Sequence, residues 1–192
     1  MGLEFSKGQL EELVKSASEG SVEDFHKLYE VFSVQVYKFI LGMTGDESEA
    51  DDITQETFIK VFYKLKKLKD PGYFKFWLYR IARNEVYQRH RQLKRRGEVS
   101  IDNEEIGYYG FIPDDKEGLD PEKQVMSREL DSVVRKALQS LKPKYRDVLI
   151  LAVQEKMTYE EISKVVGRSV VSVKTDIYRA RQVVKEKLDR YL

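Results

Sequence analysis

Apolar side chains recur along this chain at three- and four-residue steps, with little strict alternation, which is the pattern of helices that each bury one face. The spacing predicts helices over 7–18, 21–42, 47–68, 73–96, 122–140, 144–155, 158–166 and 169–190. Prolines stand only at 71, 113, 121 and 143, and Pro121 suits the first turn of a helix, where no intrahelical N–H is required. Between 97 and 121 the apolar period lapses into glycines, prolines and acidic residues, the composition of a flexible linker. The expected fold is all-α: two small helical domains, 1–96 and 122–192, joined by a flexible acidic linker, the second carrying a helix-turn-helix.

Placing residues at 100° per position sorts three helices into faces. In 47–68 the core side is Ala50, Ile53, Thr54, Thr57, Phe58, Val61, Leu65 and Leu68. Its opposite side holds Asp52, Gln55, Glu56, Ile59 and Tyr63, an acidic and amide patch running into two apolar side chains, as suits docking to a basic partner. In 73–96 the core side is Phe74, Leu78, Ile81, Ala82 and Leu93, while Tyr73, Trp77, Arg80, Asn84, Tyr87 and Arg91 share another stripe. Rings for stacking, cations for phosphate and an amide for a base edge are what single-stranded nucleic acid requires. Packing against a neighbouring helix is the alternative for any one ring, but it does not account for the arginines.

Near the C-terminus, Thr158 and Glu161 form a capping box, and Gly167 supplies a left-handed stop. Ile162, Val165 and Val166 then face Val170, Val173, Ile177, Ala180 and Val184 across a tight turn, the pattern of a helix-turn-helix. The outer face of its second helix offers Val171, Ser172, Thr175, Arg179 and Gln182, with Arg168 at the turn, groups able to meet phosphates, guanine and a thymine methyl.

Charge sharpens this reading. The formal net charge is only +1, yet residues 1–59 carry −9, 60–96 carry +11, 97–122 carry −8 and 123–192 carry +7. Two basic blocks around an acidic stretch predict two places that meet phosphates. The chain has no cysteine and only His26 and His90, so disulfides are excluded and neither a metal nor a cofactor is expected. The carboxylates of 47–68 have no nucleophile or histidine beside them, which argues against an enzyme. No apolar run nears the roughly 20 residues of a membrane span and no signal peptide is evident, so a cytoplasmic protein without membrane insertion is expected.

Over 20–96 and 122–190 the chain resembles the sigma-70 family of RNA polymerase sigma factors, in its small extracytoplasmic-function (ECF) group. ADDITQETFIKVF resembles the core-binding segment of region two, and FKFWLYRIARNEVYQRHR the segment that melts and reads the minus-ten element. LKPKYRDVLIL with MTYEEISKVVGRSVVSVKTDIYRARQVVKEKL is similar to region four, and nothing resembling region three lies between. The resemblance implies that Asp52, Gln55, Glu56, Ile59 and Tyr63 meet the clamp helices of the polymerase's largest subunit. It assigns Phe74, Lys75, Trp77, Arg80, Asn84, Tyr87 and Arg91 to the minus-ten element as duplex and non-template single strand, with Phe74 and Lys75 in the loop that captures an unstacked base. Arg168, Ser169, Val171, Ser172, Lys174, Thr175 and Arg179 fall to the minus-thirty-five element, and residues 122–155 to the flap of the second large subunit. An anti-sigma factor is the further partner implied.

The chain departs from the family pattern in two places. Val171-Ser172-Val173-Lys174-Thr175-Asp176 replaces the frequent Gly-Thr-Val-Lys-Ser-Arg, and Asp176 is expected to repel nearby phosphate. Ser163 stands where alanine is usual. The rival readings are a helix-turn-helix regulator that acts without polymerase, and an adaptor that binds polymerase but not DNA.

Overall fold

A computed structural model of the chain describes residues 5–96 and 133–189. The described residues are helical, with short turns and no strand. The helices are α1 (Lys7–Ser18), α2 (Val22–Thr44), α3 (Glu47–Lys64), α4 (Phe74–Arg96), α5 (133–139), α6 (Pro143–Val153), α7 (Tyr159–Val166) and α8 (Val170–Leu188). Single 3-10 turns at Leu65–Lys67 and Pro71–Tyr73 join α3 to α4. The expected linker and the first part of the expected helix 122–140 lie outside the described residues.

Helix ends follow local chemistry. Ser6 and Thr158 complete capping boxes with Gln9 and Glu161, while Ser21, Asp46 and Ser169 accept the N–H of Asp24, Glu49 and Ser172. Gly45 and Gly167 close α2 and α7 in the left-handed region, at φ 78° and 68°. Pro143 opens α6 at its first turn. The expected helix 47–68 gives up its last turn to 3-10 geometry because Leu68 turns to extended backbone before Asp70 and Pro71.

α1 to α4 pack as a bundle around Leu28, Phe32, Val36, Phe39, Ile53, Val61 and Leu78, with Phe32–Phe74 and Phe39–Tyr79 meeting edge to face at 5.4 Å. In the second unit Val165, Val173 and Ile177 hold α7 to α8. Leu141, Leu149 and Ala180 make a small separate cluster under α5, α6 and α8.

The two units also pack on each other. α4 lies against α7 and α2 against α6, so Val148, Ile150 and Leu151 are continuous with the core of the first unit. At Gly42 the approach is close enough that a β-carbon would lie 2.9 Å from Ile150 Cδ1. Arg146 is buried at this junction, donating to the carbonyls of Leu138, Gln139 and Leu141 at the end of α5 and to Met43 of α2.

Candidate nucleic-acid and docking interfaces

The outward side of α3 is open. Asp52, Gln55 and Glu56 are exposed, and Glu56 accepts from Arg89 of α4 at 3.1 Å. Below them Ile59 is 57% and Tyr63 70% exposed, values that an isolated fold has no reason to favour for side chains of this size. Phe62 belongs to the same patch: it is exposed, edge-on to Tyr63 at 5.6 Å and to Phe25 at 5.0 Å. The helical wheel overlooked it because it falls at the boundary between the two faces.

The stripe on α4 divides. Asn84 and Arg91 face solvent, whereas Trp77, Arg80 and Tyr87 are half-buried. Arg80 donates to the carbonyl of Lys164 in α7, and the Tyr87 hydroxyl donates to Asp147 of α6 at 3.1 Å. Burial, followed by the charge of Asp147, pushes the Tyr87 phenol up to about 12. Tyr73 and Phe76 meet edge to face, with the Lys164 ammonium 5.4 and 5.1 Å from their ring centres. Lys75 is half-buried at the start of α4. Phe74 is 1% exposed and lies in the core against Phe32 and Trp77, so in this conformation it offers no ring face to a base.

On α8, Ser169, Val171, Lys174, Thr175 and Arg179 are exposed and Ser172 half-buried, so the outward side of the second helix of the helix-turn-helix is accessible. Thr175 Oγ1 donates to the Val171 carbonyl at 2.9 Å, and Arg179 reaches the Tyr145 hydroxyl at 3.3 Å, which lowers the Tyr145 pKa. Tyr178, 64% exposed, joins this face unanticipated. Arg168 instead turns inward, donating to Asp176 at 2.5 Å, to the Lys144 carbonyl at 3.3 Å and to Asp147 at 3.4 Å. Asp176 is therefore buried and paired with a cation. The expected repulsion of phosphate is offset at its source.

Asp147 is the residue that pattern reading missed. Fully buried, it accepts from Arg83 Nε at 2.6 Å and from Tyr87 through Oδ2, and from Arg168 and its neighbour's N–H, Val148 at 2.7 Å, through Oδ1. Burial raises its pKa, and the charge of Arg83 opposes that. The same junction pairs Tyr79, itself fully buried, with Glu155. Burial, the larger effect, and the neighbouring carboxylate hold the phenol well above its ordinary range. A signal existed in the sequence: helical phase aligns 147 with 151, and 85 with 78 and 82, so Asp147 and Glu85 occupy core positions despite their charge.

Comparison with known proteins gives this arrangement its class. Residues 28–96 match the model of sigma-70 region 2 and residues 132–183 that of sigma-70 region 4. The chain is 30% identical over 166 residues to the ECF RNA polymerase sigma factor SigM of Bacillus subtilis, covering 85% of this chain and 94% of that protein. It is 29% identical over 178 residues to SigW of the same organism, covering 91% and 94%. In fold it is similar to the sigma factor RpoE of Bartonella quintana, solved with the anti-sigma factor NepR, at a TM-score of 0.68 and 24% identity over 88% of this chain and 98% of that one. The structure of CnrH with the cytosolic domain of CnrY matches at a TM-score of 0.67 and 24% identity, covering 94% and 97%. Both likenesses speak to fold. The chain belongs to the ECF sigma factors of the sigma-70 family, and its function is that of an alternative sigma factor directing transcription initiation.

Proposed function

We propose that the chain is a non-enzymatic, cytoplasmic initiation factor with residues 1–96 as its region 2 domain, 97–121 as linker and 122–192 as its region 4 domain. Asp52, Gln55, Glu56, Ile59 and Tyr63 dock on the clamp helices of the polymerase's largest subunit, and the α5–α6 segment on the flap of the second largest. Lys75, Trp77, Arg80, Asn84, Tyr87 and Arg91 engage the minus-ten element as its bases unstack. Stacking on aromatic rings, about 1–3 kcal/mol per base, offsets an unstacking cost of a few kcal/mol per step. Ser169, Val171, Ser172, Lys174, Thr175 and Arg179 enter the major groove at the minus-thirty-five element, with Arg168 joining once it leaves Asp147. The observation that carries this reading is the pairing of a carboxylate row with exposed Ile59 and Tyr63 on one helix, next to a cationic and aromatic helix that shows Asn84 and Arg91 to solvent. An anti-sigma factor completes the partner set, as the similar fold of RpoE is solved with the anti-sigma factor NepR bound.

Transcription from a cognate promoter with purified core polymerase tests the proposal. Core-dependent initiation is the expected result, with weak binding of promoter DNA by the free protein. Tight, specific promoter binding without core, and no initiation with it, favours a stand-alone helix-turn-helix regulator and overturns the proposal.

A further inference from the structure

Arg89 stands apart from the nucleic-acid stripe of its own helix. It lies five positions beyond Asn84, about 140° around α4, on the side turned to α3, where it meets the carboxylate row. We propose that Arg89 is an internal competitor for the polymerase-docking face: its guanidinium occupies Glu56 in the free protein, must yield that carboxylate to the cations of the incoming partner, and so holds the affinity for core below what the row could supply. The inference rests on the docking role proposed above for α3 and adds to it a residue of another helix that tunes the strength of the contact.

Three observations carry it. First, Arg89 Nη2 lies 3.1 Å from Glu56 Oε1 and both side chains reach solvent, so one cation can replace another there without opening the core. Second, the pair is one rung of an antiparallel ladder between the two helices. Lys60, one turn beyond Glu56 on α3, pairs with Glu85, one turn before Arg89 on α4. Glu85 is buried, and a buried carboxylate holds its counter-ion closely, so Lys60 is committed to it and Arg89 is the cation that meets Glu56. Third, the influence of Arg89 extends along the row. Burial, the largest effect, raises the pKa of the half-buried Glu49; the charge of Arg89 comes next and lowers it, against Asp46 and Asp52. A basic partner therefore meets carboxylates whose charge is already partly answered, while Ile59 and Tyr63 below them stay open. Charge complementarity acts mainly on the rate of encounter, so Arg89 slows association and leaves the apolar contact untouched.

The test has an unusual sign: a substitution that removes an ion pair should tighten binding. Arg89→Gln deletes the charge at the loss of one solvent-exposed pair, so the fold should melt close to wild type. In stopped-flow anisotropy with labelled full-length protein and purified core polymerase, this variant should bind about three- to fivefold more tightly than wild type at low salt, mostly through faster association. The gain should shrink at about 0.5 M salt, where screening reaches within a few ångströms. Arg89→Lys, which keeps the charge but not the planar fork, should gain less. In a Glu56→Gln background, Arg89→Gln should gain little, because the carboxylate for which Arg89 competes is gone. Unchanged or weaker core binding by Arg89→Gln overturns the proposal, and so does a gain of the same size with and without Glu56. The charge-reversed Asp52→Lys/Glu56→Lys protein reports separately on the docking face. If it binds core like wild type, the docking reading fails and takes the competitor with it; if it binds weakly while Arg89→Gln binds as wild type does, the competitor alone fails.

Discussion

Replacing Ile59 by alanine is the sharpest probe of the proposed polymerase contact, because most of what that side chain can contribute is still unspent in the free protein. Full burial of an isoleucine is worth about 1.5–3 kcal/mol. With 57% of Ile59 open, docking has roughly 1–1.7 kcal/mol left to gain there. Ile59→Ala should therefore weaken binding to purified core about 5- to 20-fold, while costing the fold roughly 1 kcal/mol or less for the part already packed. Tyr63→Ala, starting from 70% exposure, should act in the same direction. The double variant Asp52→Lys/Glu56→Lys probes the charge of the same face. Its structural cost is the exposed Glu56–Arg89 pair, worth about 1 kcal/mol at most, whereas like charges set against a basic partner cost affinity and slow association. Binding is read by fluorescence anisotropy with labelled sigma and purified core, repeated at two salt concentrations and set beside thermal melts. Variants that melt like wild type and bind core with unchanged affinity would refute the docking face.

Three further outcomes are expected. Asn84→Ala removes an exposed amide, so stability should be unchanged while discrimination at one minus-ten position falls by about 1–3 kcal/mol; an identical ranking of promoter variants would remove Asn84 from base reading. The Ser16 hydroxyl, ahead of Lys27 and Ser21, holds the Asp24 carboxyl down at about 2, below its ordinary 3.8. A depressed acid stabilises the fold above pH 3.8 and loses that contribution as pH falls through 2. Ser16→Ala should accordingly move the carboxyl titration, followed by NMR, up toward 3.8, and an unmoved titration would show that the hydroxyl is not the cause. Gly167 has φ 68° with no atom near a would-be β-carbon, so Gly167→Ala should cost about 1–2 kcal/mol from backbone strain alone, and Gly167→Asn less. Equal melting temperatures for the two variants would contradict that account.

Helix placement was largely legible before any coordinates, because it depends on local chemistry. α1 was expected at its observed ends, and Thr158 and Gly167 marked α7 through the same cap and left-handed stop that the structure uses. The core side of α3 emerged from periodicity with only Leu68 less than fully buried. Partnerships across the chain were not legible. Asp147 and Glu85 drew no reading and Asp176 was expected to face phosphate, yet each sits at a core phase beside a cation, and two of those cations are more than twenty residues away. Tyr79 likewise meets Glu155 only because α4 lies beside the second unit. The same blindness applied to the candidate sites. Face and residue type brought out the α3 patch and the outer side of α8, but not that Phe74 is enclosed by Phe32 or that Arg168 is held by two carboxylates.

Arg146 shows how this architecture would look to a geneticist. One side chain closes the end of α5 through three carbonyls and touches Met43 of the opposite unit through a fourth. Lesions there are expected to be pleiotropic, lowering the amount of protein and altering its behaviour together. A screen for well-folded alleles with altered behaviour should instead return changes at Gly42 or Arg83, whose contacts across the junction can be lost without unmaking either unit. The distribution of such alleles along the gene would then trace the junction, with position 146 left as a gap in the map.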